Sequence, residues 1–221
     1  MLTPDEPARI AALRELEILD SGPEPLFDRL TELAALTFDA PISLISLVDV
    51  DRQWFKAGVG LSESETPREV SFCAHAIQSS QVMVVPDATL DPRFRENPLV
   101  TGFPNVRFYA GAPLITPEGA GVGTLCVLDT KPRPAFTPSQ EAKLRSFADS
   151  VMQALLLRRR ARETEQVNQL AAERLRLLSL AERVTGLGAW SWRLGETDVT
   201  WSEEVYRLFG LDAGGTSPSL E

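Results

Sequence analysis

The apolar positions of this chain change period along its length. Residues 5–20, DEPARIAALRELEILD, set Ile10, Leu13, Leu16 and Ile18 at helical spacing with charges between them, which predicts an amphipathic helix ended by Ser21, Gly22 and Pro23. A second helix is expected from Leu26 to Phe38, with Phe27, Leu30, Leu33, Ala34 and Phe38 as its apolar stripe. The pattern then shortens. Ile42, Leu44, Ile45, Leu47 and Val48 read as a strand, Asp49 to Arg52 as a tight turn, and QWFKAGV as the returning strand of a hairpin.

After the polar stretch LSESETPREV, the segment SFCAHAIQSS reads as a short helix and VMVVPDA as a short strand. The segment TLDPRFRENPLVTGFPN is a long loop with one helical turn, long enough to suspect function. VRFYAGAPLIT (106–116) and GVGTLCVLDT (121–130) make two further strands joined by the turn PEGA. Thr137 is a helix N-cap with Pro138 in the first turn and Glu141 close behind, and no Gly or Pro follows before Gly186. Leu144, Ala148, Val151 and Leu155 lie on one seam of that helix. Val167, Leu170, Leu177, Ala181 and Val184 lie on a second seam of shifted phase. The first seam is expected to pack on the preceding domain and the second to meet a partner helix.

Composition narrows the class. The 221 residues are 43% hydrophobic and 24% charged, as in a folded globular chain long enough for one domain and more. Acidic residues outnumber basic ones 31 to 22, and the net charge of −9 disfavours nucleic acid and anionic membranes as partners. RRRAR (158–162) is followed by Glu163, Glu165 and Glu173 and reads as a salt-bridged helix surface. The start of the chain lacks the layout of a secretory signal and no apolar run reaches membrane-spanning length, so a cytoplasmic location without membrane insertion is expected.

His75, the one histidine, stands two positions from Cys73, one of two cysteines. On a helix the two side chains diverge by about 200° and cannot converge on one atom. With no CxxC and no second histidine, a structural metal is not expected. Cys73 shares a face with Ile77 and reads as core, while His75 remains free to offer a hydrogen bond on the ligand side. Cys126 alternates with Thr124 and Leu128 and reads as a packed residue. Nothing near it in sequence supplies the electropositive setting a reactive thiol needs.

In the loop, Asp87, Asp91, Arg93 and Arg95 admit two readings. Arg93 or Arg107 could recognise an anion or nucleotide; alternatively Asp91 caps the turn and the arginines pair with local carboxylates. Trp54, Phe55, Phe94, Phe108 and Tyr109 are core candidates, some of which could line a cavity. The candidate ligand-binding set is therefore His75, Trp54, Arg93, Phe94, Arg107, Tyr109 and Asp87, with no catalytic residue and no identified cofactor.

The strings ISLVDVDRQWFKAGVGL, SFCAHAI, VVPDATLDPRFRENPLV and RFYAGAPLITPEGAGVGTLCVLD, in this order, closely resemble the GAF domains at the front of bacterial sensor proteins. The resemblance covers residues 5 to about 157. It implies an α+β fold, an antiparallel sheet with the terminal helices on one face and a ligand or sensing pocket on the other. Residues 178–212, LSLAERVTGLGAWSWRLGETDVTWSEEVYRLFGLD, resemble the opening of a PAS domain, with Trp190 and Trp192 on one strand face as its core. That stretch is too short for a closed PAS sheet, so the chain looks like a fragment of something longer. The expected organisation is a GAF domain over 1–157, a helical signalling linker over 158–184 and the start of a PAS domain over 185–221.

What the resemblance implies for function is a cytoplasmic sensory module that passes a small-molecule or environmental cue through a helix to PAS and an output domain, in such proteins a histidine kinase of a two-component system or a diguanylate cyclase. A homodimer through the long helix is expected. The alternatives are a ligand-free dimerisation and spacer domain, or a thiol enzyme of the GAF-type free methionine sulfoxide reductase kind, which relies on more cysteines than the two here. Phytochrome-like attachment of a bilin is not expected, because the residues around Cys73 do not match that pattern.

Overall fold

The computed structural model describes residues 6–133, 135–193 and 199–212. The chain divides into two units, residues 1–160 and 161–221. In the first, helices α1 (Glu6–Glu15) and α2 (Pro25–Phe38) precede strands β1 (Ile42–Val48), β2 (Arg52–Val59) and β3 (Glu65–Pro67). A single 3-10 turn leads into α3 (Phe72–Ala76). Then follow β4 (Met83–Val85), α4 (Pro98–Thr101), β5 (Phe108–Ile115), β6 (Gly121–Asp129) and the start of the long helix α5 (Pro138–Thr185), which runs on into the second unit.

The six strands form one sheet in the order β3-β2-β1-β6-β5-β4, and every neighbouring pair is antiparallel. This is the α+β fold expected. Alternation along the central strands separates two apolar layers. Phe108, Ala110, Ala112 and Leu114 of β5 join Ile45 and Leu47 of β1 and Leu125 and Val127 of β6 beneath the helices. Leu13, Leu16 and Ile18, Phe27, Ala34 and Phe38, and Leu144, Ala148, Val151 and Leu155 of α5 complete that layer. On the other face Ile42, Leu44, Tyr109, Cys126 and Leu128 pack beneath α3 and the loops that follow it.

Several local expectations change. α1 stops at Glu15, and Glu17 takes φ 47°, so Leu16 and Ile18 reach the core from a turn rather than a helix. Leu33 of the α2 stripe is exposed, because Thr31, Ala34 and Ala35 occupy the face toward the sheet. Thr137 caps α5, but Gln140 closes the capping box: Thr137 Oγ1 accepts from the Gln140 N–H at 3.2 Å, and Gln140 Oε1 accepts from the Thr137 N–H at 2.8 Å.

In β2 the register to β1 slips by one, Ile45 facing Ala57 and Ser46 facing Phe55, so Lys56 is the extra residue of a β-bulge. Its ammonium passes to the helix side. There it donates to Gly22 O at 2.6 Å, Glu24 Oε1 at 2.7 Å and Ser21 Oγ at 2.9 Å. Glu24 Oε1 also accepts from Arg158 Nε at 2.7 Å. One carboxylate thus joins the bulge of β2 to α5. Although desolvation opposes it, the hydrogen bonds from Lys56 and Arg158 hold the Glu24 carboxyl below its usual range.

In the second unit, residues 161–178 of α5 are exposed throughout. Val167, Leu170, Leu177, Ala181 and Val184 therefore form an apolar seam open to solvent. β7 (Trp190–Trp192) pairs antiparallel with β8 (Val199–Trp201), and α6 (Glu203–Leu208) follows. The expected burial of Trp190 and Trp192 is not met: they are 67% and 40% exposed, and among the described residues their sheet has only the two strands β7 and β8. Of the span 185–221 expected as the start of a PAS domain, residues 194–198 and 213–221 lie outside the described residues.

Candidate functional site

The sheet face away from the terminal helices encloses a cavity of about 90 Å³. Ile42 and Leu44 of β1, Phe55 of β2, Tyr109 of β5 and Cys126 and Leu128 of β6 form its floor. Phe72 and Cys73 of α3, with Leu99 of α4 and Val106 of the loop before β5, form its roof, and Leu61, Glu63, Phe103 and Pro104 stand around it. Glu63 is exposed and Phe103 is 72% exposed, which marks the mouth. Such a volume holds a few waters or one small ligand, and the lining is almost wholly apolar.

A buried polar cluster lies at one end of this apolar lining. Ser71 caps α3 by accepting from the Ala74 N–H at 3.0 Å and donates to Gln53 Oε1. Gln53 Oε1 also accepts from Ser46 Oγ at 3.3 Å, while its Nε2 donates to Thr66 Oγ1 at 2.7 Å. The cap places Cys73 inward, where its Sγ lies 3.9 Å from Cys126 Sγ. Cys73 Sγ also accepts from Thr124 Oγ1 at 3.1 Å and from Tyr109 Oη at 3.5 Å. Tyr109 has room for its hydroxyl because residue 111 is glycine: a Cβ there would lie 2.1 Å from the phenol oxygen.

Hydrogen bonds from Cys126, then Thr124, Tyr109 and Ser46, outweigh burial and lower the Cys73 thiol to about 6. The same pairing, with burial added, pushes Cys126 up, and burial foremost pushes Tyr109 up. The hydroxyl donors of Thr124 and Tyr109 lie on Cys73, so charge on this thiol pair is favoured there.

The seven candidate residues do not gather in one place. Tyr109 lines the cavity, and Phe94 backs it by stacking on Phe72 with ring centroids 4.0 Å apart. Trp54 lies in the opposite layer beneath the helices, because it precedes the bulge and alternates with Gln53 and Phe55. His75 is exposed outside the cavity, its ring edge-on to Phe94 at 5.0 Å; burial first, then the Arg93 charge, lowers its pKa. Arg93 pairs with Asp91 at 2.7 Å over the Phe94 ring. Asp91 Oδ1 accepts from the Arg93 N–H at 2.9 Å. Arg107 donates to Val100 O at 2.8 Å, and Asp87 accepts from the Thr89 N–H at 3.0 Å. Each of these loop groups thus has a local partner.

The convergence of Cys73 with Cys126 was not legible, since they lie 53 positions apart with β4 and β5 between them. A usable signal was present, however. Ser46 and Thr124 are polar positions within mainly apolar strands, they pair with each other across β1 and β6, and Thr124 donates to Cys73. Among the described residues no group of three or more His, Cys, Asp and Glu could hold a metal ion, and no helix is long and apolar enough to cross a membrane.

A sheet with its terminal helices on one face and a cavity on the other defines a small α+β domain. The GAF domain model matches residues 22–155, and the chain belongs to that family. A cyclic di-GMP phosphodiesterase, PA2567, of Pseudomonas aeruginosa is 49% identical over 148 residues, 67% of this chain and 25% of that protein. The chain thus spans about a quarter of the length of that relative. Among solved structures, a domain of a two-component sensor histidine kinase protein from Sinorhizobium meliloti is similar with a TM-score of 0.51, at 19% identity, covering 65% of this chain and 97% of that one. Free methionine-R-sulfoxide reductase from Neisseria meningitidis is similar with a TM-score of 0.52, at 16% identity, covering 72% of this chain and 95% of that one. At these identities the structures speak for the fold alone.

Proposed function

We propose that this chain is a non-catalytic sensory module of a larger cytoplasmic signalling protein. Its GAF domain registers a small molecule or chemical cue in the cavity, and α5 carries the change toward a PAS domain and an output. The relation to PA2567 favours an output in cyclic di-GMP turnover over the histidine kinase also considered. The observation that carries the reading is the Lys56–Glu24–Arg158 link. β2 presents Phe55 to the cavity and, at the adjacent bulge residue, Lys56 to a carboxylate that also grips α5.

A signal can shift such an element only if it binds its two arrangements with different affinity. The exposed seam from Val167 to Val184 suits a parallel partner helix, so the module acts as a homodimer. Native mass spectrometry of the purified chain over a concentration series tests both parts. A dimer retaining a small non-covalent molecule is expected. A bare monomer at every concentration would contradict the reading.

A further inference from the structure

We propose that Cys73 and Cys126 form a peroxide-reactive dithiol that closes to an intramolecular disulfide, making a hydroperoxide the cue of this module. The proposal rests on the sensory reading above and names its input. Three features carry it. The two sulfurs are 3.9 Å apart with no side chain between them, and the rest of the closure to a bond of about 2 Å is within reach of a small backbone shift. Both sulfurs line a cavity whose mouth is at Glu63 and Phe103, so an oxidant little larger than water has a route to them. Two hydroxyls, of Thr124 and Tyr109, converge on Cys73 Sγ in an otherwise apolar layer, a provision that packing a small core residue does not require.

The chemistry balances with one hydrogen peroxide. The Cys73 sulfur attacks one peroxide oxygen, the O–O bond breaks, and the departing oxygen leaves as water with the proton Cys73 gave up. Cys73 is then a sulfenic acid. The Cys126 sulfur attacks the Cys73 sulfur, the S–O bond breaks, and the hydroxide takes the Cys126 proton as a second water. Two thiols and one peroxide thus yield one disulfide and two waters, the two electrons coming from the sulfur pair.

The two cysteines differ in freedom to move. Cys126 lies in β6, bonded on both sides by β1 and β5, whereas Cys73 lies in a five-residue helix held by one serine cap. Closure therefore draws α3 toward the sheet. Phe72 moves with it, and that ring stacks on both Tyr109 and Phe94 in the cavity wall.

The test uses the whole chain, purified reduced, exposed to a few equivalents of hydrogen peroxide, alkylated, and mapped by peptide mass spectrometry without reductant. Expected is one linked pair of peptides carrying residues 73 and 126 within a single chain, with both thiols lost and both regained on adding dithiothreitol. Cys126→Ser should stop at a Cys73 sulfenic acid trapped by dimedone, and Cys73→Ser should leave Cys126 unmodified, each checked for native circular dichroism. Thiols that stay free at peroxide levels that consume glutathione, or links only between chains, would overturn the proposal. Hydrogen exchange of residues 144–158 separates the two readings. A disulfide that leaves that exchange unchanged keeps the dithiol and removes the relay. A cavity-filling substitution that alters it, in a chain whose thiols ignore peroxide, keeps the relay and removes the dithiol.

Discussion

Lys56→Met isolates the connection between the cavity strand and α5. Methionine keeps the length of the side chain and its place over Phe27, where the ammonium lies 5.3 Å from the ring centroid, but removes the charge and three donors. The Lys56 side chain has no exposure, so the Gly22 carbonyl loses its lysine donor and Glu24 keeps Arg158 alone. Removing one partner of a buried ion pair costs about 3–5 kcal/mol. Glu24 is 35% exposed, so water recovers part of that loss, and about 2–3 kcal/mol is expected. Urea denaturation followed by far-ultraviolet circular dichroism measures it. The double variant with Glu24→Gln should cost less than the sum of the singles, by about 1–2 kcal/mol, since the residues share one interaction. A loss below about 0.5 kcal/mol, or additive singles, would refute the idea that this carboxylate couples β2 to α5.

Three further outcomes follow from the same geometry. Gly111→Ala drives a methyl to 2.1 Å from Tyr109 Oη and should cost about 1–3 kcal/mol in thermal or urea melts; Tyr109→Phe should rescue it only in part, because ring carbons remain at 2.6 and 2.8 Å. The two seams of α5 should separate by assay: Leu144→Ala should lower stability by about 2–5 kcal/mol, whereas Val167→Ala should leave folding almost unchanged and weaken self-association in sedimentation velocity. Glu6, held to about 2 chiefly by its hydrogen bond from Arg9, stabilises the fold fully above its ordinary 4.5. That contribution fades as pH falls from about 4.5 toward 2, so Glu6→Gln should flatten the acid limb of a pH-dependent melt and leave neutral pH least affected in slope.

The order and type of the elements were legible because each carries its own period: Phe27 and Ala34 of α2, the apolar run of β1 and the first seam of α5 all face where their spacing put them. The site was less legible because its residues meet across the sheet. The hairpin QWFKAGV is recognisable, yet nothing in it announces that Lys56 is a bulge residue, which decides that Phe55 and not Trp54 faces the cavity. His75 drew attention by being the one histidine, but on α3 the inward position is Cys73, and the histidine is left outside. Charged loop residues such as Arg93 found partners two positions away, which short-range turn chemistry allows.

Hydrogen exchange along α5 tests the central claim most directly, comparing the chain with Val106→Phe, which fills the cavity on the sheet face away from α1, α2 and α5. Val106 lines the cavity and is fully buried, and α5 meets the other face of the sheet. The account predicts altered amide protection in residues 144–158, reaching the exposed seam between 161 and 184, in a variant that keeps native circular dichroism. Protection along α5 identical to that of the parent chain, with changes confined to the cavity walls, would contradict it.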